Sequence, residues 1–165
     1  EEALYMHTFS LYKQSPKFNL DQSSTQEAIQ AIQVFLNRYP ASEFRKDAVE
    51  IMAGLMDKLE EKAFNNAKQY YDLGYLKSAL LAFDNFQKDY PDSEWNEDVG
   101  YLMVQAAFKY AKSSIPSKQK ERYYDCVEYY QNFVDDYSDS GYIKQAESYY
   151  TDSLEAIEDL TAKNL

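Results

Sequence analysis

His7 and Cys126 are the only histidine and the only cysteine in 165 residues, and the sequence gives neither a partner for the chemistry its side chain can do. A histidine acts as a base or a ligand when an orienting carboxylate or a second ligand stands beside it. His7 instead takes the place that Met52 and Met103 hold in the repeat described below, so packing or plain surface is its expected role. A lone cysteine makes no internal disulfide. No Gly-rich phosphate loop, Cys/His metal spacing or GxSxG is present. The acidic string DYPDSEWNED at 89–98 carries the oxygens calcium prefers, but its spacing misses the EF-hand pattern, and its Pro91 and Ser93 have structural roles. The expectation is a chain with no catalytic residue, no cofactor and no metal.

Side chains suited to binding are more plentiful. Four tyrosine pairs occur, Tyr70-Tyr71, Tyr123-Tyr124, Tyr129-Tyr130 and Tyr149-Tyr150. Adjacent residues sit about 100° apart on a helix, so one of each pair can pack inward while the other lies near a groove. Lys77, Leu81, Asp84 and Lys88 recur at spacings of 4, 3 and 4, opposite an inward face of Ala79, Phe83 and Phe86. Leu81 is the apolar member of that charged stripe and the candidate anchor for a partner domain, with Lys77, Asp84 and Lys88 to set register and on-rate. Net charge is −11, of which −8 lies in residues 121–165. That balance argues against nucleic acid as a partner, because phosphate binding needs a basic face. The acidic C-terminal helices read as solvated faces or as a docking surface for a basic partner.

The elements that must hold these residues are repeated. FLNRYPASEFRKDAVEIM at 35–52 returns as FQKDYPDSEWNEDVGYLM at 86–103 and, in part, as FVDDYSDSGYIKQAESYY at 133–150. The period is 51 and then 47 residues, in the range of helical-hairpin arrays. Each copy closes a helix at Phe-x-x-x-Tyr. Pro40 or Pro91 then blocks continuation, and Ser42, Ser93 or Ser140 stands where the next helix needs an N-cap. Ala28 and Ala79 lie twelve residues before those prolines, Cys126 lies twelve before Ser138, and Ala67 lies twelve before Ala79. Small side chains in phase are what close helix crossings require.

The expected fold is therefore all-α, a tetratricopeptide-like solenoid of helical hairpins with about seven helices. They are placed near 2–14, 24–39, 42–73, 76–90, 93–113, 118–137 and 140–162. The expected organisation is one domain over 1–165, with sub-units 1–40, 41–91 and 92–138 and a closing helix at 139–165. The insertion at 13–25 is expected to close through a capping box from Ser24 to Glu27, and a second insertion lies at 113–120. No run of 18 apolar residues is present to span a membrane. The opening Glu1-Glu2-Ala3-Leu4 reads as the inside of a helix. At least one more hairpin is expected upstream, with Leu4, Tyr5 and Phe9 on the face it would cover.

Three stretches give a resemblance. SPKFNLDQSSTQEAIQAIQVFLNRYP, LEEKAFNNAKQYYDLGYLKSALLAFDNFQKDYP and KERYYDCVEYYQNFVDDYSDSGYIKQAES resemble an inserted joint, a long helix with its return helix, and the last repeat of BamD-like proteins. These are the helical-repeat lipoproteins of the outer-membrane β-barrel assembly machinery. Tyr137-Ser138 departs from the Tyr-Pro of the other joints, which is expected only to loosen that turn. The resemblance implies a non-catalytic scaffold on the periplasmic face of the bacterial outer membrane. It further implies binding to the POTRA domains of the barrel subunit and to other assembly lipoproteins, and help in delivering unfolded outer-membrane proteins. The family's N-terminal repeats and lipid-bearing cysteine have no counterpart here, so a membrane link is expected only through that missing anchor. The other reading is a general peptide- or protein-binding tetratricopeptide module of the cell envelope.

Overall fold

A computed structural model describes residues 1–162. Seven helices run in chain order: α1 (Glu2–Gln14), α2 (Ser23–Arg38), α3 (Arg45–Asp72), α4 (Leu76–Asp89), α5 (Asn96–Lys112), α6 (Pro116–Asp136) and α7 (Ile143–Ala162). There is no strand among the described residues. The fold is an all-α helical repeat, with every helix boundary within three residues of its expected position. No described helix is long and apolar enough to cross a membrane.

The joints after α2, α4 and α6 share one hydrogen-bond pattern. Tyr39, Tyr90 and Tyr137 each donate a backbone N–H to the phenylalanine carbonyl four residues back. Each of those tyrosines also rests its ring on that phenylalanine, at 5.8, 5.2 and 5.6 Å between centroids. Ser42, Ser93 and Ser140 then accept the N–H of Phe44, Trp95 and Tyr142 on their hydroxyl oxygens, each at 3.1 Å. The serine thus caps a two-residue turn and is not the expected helix N-cap, because the helix proper starts three residues later, at Arg45, Asn96 and Ile143. The third joint has no proline, yet Tyr137 adopts φ −136° and ψ 53°, close to the −131° and 64° of Tyr90. The ring contact and the serine turn, present in all three copies, hold the geometry.

The turn from α3 to α4 works differently. Gly74 has φ +79°, and Tyr75 and Gly74 return their N–H groups to the carbonyls of Tyr70 and Tyr71 at 2.9 and 3.0 Å. This is the left-handed glycine termination that satisfies the last carbonyls of a helix.

The chain divides into two compact units, Glu1–Ala63 and Phe64 onward. In the first, Ala28, Ile32, Phe35, Ala48 and Leu55 form the core, flanked by Leu4, Tyr5, Leu11, Ile51 and Met52. Tyr5 stacks on Phe44 at 4.5 Å and contacts Phe35 at 5.6 Å. Leu4, Tyr5 and Phe9 are half-buried, Leu4 and Tyr5 resting against this unit's core, and Met6 is 56 % exposed. The expected Ser24–Glu27 box does not form, because α2 has no side-chain cap bond. Gln22, only 5 % exposed, closes the 13–25 insertion by donating its amide to the carbonyls of Lys17 and Leu20 at 2.8 and 3.0 Å. It also accepts the Thr25 hydroxyl at 2.6 Å. A buried amide with several partners holds an irregular loop more firmly than a surface box would.

In the second unit the core gathers Tyr101, Val104, Ala107, Cys126, Phe133 and Ala146, with a further cluster of Ala111, Tyr123 and Ile157. Gly100 makes the α5–α6 approach possible: a Cβ there would meet the Phe133 ring at 2.9 Å.

A candidate partner-docking site on α4

α4 is a strongly sided helix. Ala79, Phe83 and Phe86 are buried at 0, 0 and 2 % exposure, and Leu81 on the other side is 63 % exposed. Lys77 and Lys88 are exposed and Asp84 half-buried. Lys88 pairs with Asp84 at 2.5 Å, with the acid one turn N-terminal to the base, the favourable order on a helix. The four stripe residues therefore stand as an apolar knob between charges, with no core role competing for Leu81.

Asp84 also lines a pocket of about 140 Å³ together with Gln87, Gly100, Met103, Tyr129, Asn132, Phe133, Asp136 and Tyr137. Burial pushes the Tyr129 phenol above its ordinary range, and the carboxylates of Asp84 and Asp125 push it further. Burial and then Asp136 raise Tyr137 in the same direction. The pocket is thus lined by two aspartates and by two phenols that hold their protons more tightly than usual. It can accept hydrogen-bond donors or a cation but offers no activated nucleophile.

The repeat positions sit as follows. Ala28, Ala79 and Cys126 have zero exposure and Ala67 has 2 %. Pro40 and Pro91 are exposed, and Ser42, Ser93 and Ser140 are half-buried in their turns. Cys126 donates its S–H to the Val104 carbonyl at 3.6 Å, and burial raises its pKa to about 11. His7 is exposed on α1. In the acidic string, Asp98 accepts the Tyr142 hydroxyl at 2.7 Å, and no group of three or more potential metal ligands gathers among the described residues.

Two tyrosine pairs divide as helical geometry suggests: Tyr71 and Tyr123 turn in, while Tyr70 and Tyr124 are 46 and 52 % exposed. The other two do not. Tyr130 and Tyr150 are both half-buried and stack on each other at 4.5 Å. Sequence reading also missed a polar ladder. Gln105 accepts the Tyr71 hydroxyl at 2.8 Å and donates to Tyr101 and Tyr149 at 2.7 and 3.1 Å, while Tyr101 donates to Gln145 at 2.7 Å. Its trace in the sequence is the spacing Tyr101–Gln105 and Gln145–Tyr149, four residues each, which puts both members of a pair on one helical face.

The helical repeat, the inserted joint closed by Gln22 and the long α3 are features that a family comparison can weigh. Residues 1–72 match the model of the family described as YfiO, outer membrane lipoprotein. Over that stretch, less than half of the chain, it is similar to that family. The match takes in α1, α2 and α3 and ends just before the Gly74 turn. No curated protein matches the chain.

Proposed function

We propose that this BamD-like chain is a non-catalytic scaffold of outer-membrane β-barrel protein assembly, acting as one helical-repeat unit in the bacterial envelope. In this reading α4 binds the POTRA region of the barrel subunit, Leu81 enters an apolar pocket of that partner, and Lys77, Asp84 and Lys88 set its register. Anchoring at the periplasmic face through a lipid, contacts with other assembly lipoproteins and assistance to unfolded outer-membrane proteins belong to the same reading. The observation that carries it is Leu81, 63 % exposed on an otherwise charged helix face in a chain whose first 72 residues match an outer-membrane lipoprotein family. An apolar side chain ringed by charges is the usual layout of an interface anchor.

The test is binding of the purified POTRA region to the wild type and to a Leu81→Asp, Lys88→Glu double variant, with helicity followed by circular dichroism. Loss of an anchor worth about 2 kcal/mol weakens binding roughly 30-fold. Unchanged affinity with intact helicity would move the interface off α4. The pocket beside Asp84, lined by α4, α5 and α6, favours the second reading, a peptide-binding repeat module. That reading gains if the POTRA region fails to bind the wild type while peptides with basic side chains do bind.

A further inference from the structure

One end of the second unit combines exposed apolar tips with most of that unit's cations. Tyr71 at the end of α3 reaches Gln105 on α5 and lies under the ammonium of Lys109, which stands 4.5 Å from the ring centre. Earlier in the same two helices, Phe64 meets Trp95 at 4.5 Å. The last turns of α3 thus run alongside α5 in the same direction, and the α3–α4 and α5–α6 turns leave the unit at the same end. Arg122 holds the first turns of α6 against that end, with its guanidinium 3.9 Å over the Tyr110 ring and a hydrogen bond to Ser114.

Leu73, Tyr75 and Ile115 project from these two turns at 62, 62 and 66 % exposure. Tyr75 and Ile115 occupy the N-cap positions of α4 and α6, and neither helix has a side-chain cap bond. Ser, Thr, Asp or Asn is favoured at such a position. At the opposite end of the same unit, Ser93 and Ser140 supply the turn-capping hydroxyls. Residues 68–77 and 109–122 also hold seven of the chain's 17 cations against two carboxylates, Asp72 and Glu121, in a protein of net charge −11. The two carboxylates pair with Lys68 and Lys118 at 2.6 and 2.8 Å. The last turns of α7 bring Glu158 and Asp159 to this end, and Asp125 lies near Arg122 and Glu121.

We propose that this edge rests on a phospholipid surface bearing anionic headgroups, with Leu73, Tyr75 and Ile115 inserted at the headgroup level and Lys77, Lys112, Lys120 and their neighbours above the phosphates. Projecting apolar tips with long-stemmed lysines and tyrosine suit a deformable interface, where a protein partner would more often meet them with a fitted pocket. Basic side chains at such a surface contribute about fivefold in affinity apiece. The proposal shares Lys77 with the partner reading of α4, but its test uses only Lys112, Lys120 and Ile115 and no POTRA domain.

The experiment is co-sedimentation of the whole chain with vesicles of phosphatidylcholine alone and of phosphatidylcholine with phosphatidylglycerol, repeated in high salt. Binding to the anionic vesicles only, reversed by salt, is expected. A Lys112→Gln, Lys120→Gln pair should weaken it by roughly 25-fold, while Lys144→Gln at the far end of the unit leaves it unchanged. Ile115→Trp should show blue-shifted emission on anionic vesicles. Absence of vesicle binding, or binding indifferent to the Lys112/Lys120 pair in a variant of normal helicity, overturns the proposal. So does capture by polyglutamate without capture by vesicles, which would assign the edge to an acidic protein.

Discussion

Gly54 and Gly100 both stand inside long helices, yet their surroundings set them opposite tasks. Nothing lies within 4 Å of a Cβ placed at Gly54, which is exposed on α3. Gly54→Ala is expected to raise stability by about 0.5–1 kcal/mol, through helix propensity alone. At Gly100 the same methyl would meet a Phe133 ring that is itself 2 % exposed and cannot step aside. Gly100→Ala should lower stability by about 1–3 kcal/mol despite the propensity gain, because overpacking a core wins over a surface preference. Urea midpoints for the pair decide the matter; equal shifts in one direction would refute the close α5–α6 approach. Cys126 offers a second check. With no exposed surface and a pKa near 11, its thiol should resist a maleimide at pH 8 in the native chain and react once the chain is unfolded. Labelling within minutes under native conditions would mean that α6 does not pack there.

The joint is the informative element. Its Phe-x-x-x-Tyr and Ser signals were readable because each acts locally: a ring on a ring one turn back, and a hydroxyl on an amide two residues ahead. The missing proline at residue 138 was legible too, but its effect was not, since Tyr137 keeps the dihedral angles of its counterparts. Ser138→Pro should therefore stabilise the chain by about 0.4–1 kcal/mol, as proline removes freedom from the unfolded state without straining a compatible turn. A fall in melting temperature for Ser138→Pro would mean that this turn differs from the other two. Ser93→Ala, by contrast, removes the acceptor for the Trp95 amide and should cost about 1 kcal/mol. The inserted joint shows where such reading stops. Ser24 and Glu27 have the spacing of a capping box, but Gln22 closes the loop, and only the path of residues 17–20 makes its amide the better partner.

Across the whole molecule, tyrosine packing ties stability to pH on the alkaline side. Burial raises the phenols of Tyr5, Tyr101, Tyr123, Tyr129, Tyr130 and Tyr137 above the ordinary value of 10.0. The hydrogen bond to Asp98 does the same for Tyr142, and burial raises Cys126. An acid whose pKa is higher when folded keeps its proton longest in the native state. Its contribution is thus complete below the unfolded value and fades as pH rises past it. Urea midpoints should hold between pH 7 and about 8.5 and fall progressively above 9 to 10. A flat profile to pH 11 would mean that the phenols titrate freely. The sequence by itself determined the helix count, the three joints, the small residues at the crossings and the charged stripe on α4, because periodicity and capping act within one or two turns. Only the tertiary structure decided that Leu4 and Tyr5 rest against a core, that Tyr130 and Tyr150 stack, that Gly100 and not Gly54 leaves no room for a methyl, and that turns about forty residues apart bring their apolar tips to one end of a unit. Those outcomes depend on which helix lies against which, and burial and close approach between distant segments leave no fixed spacing in the chain.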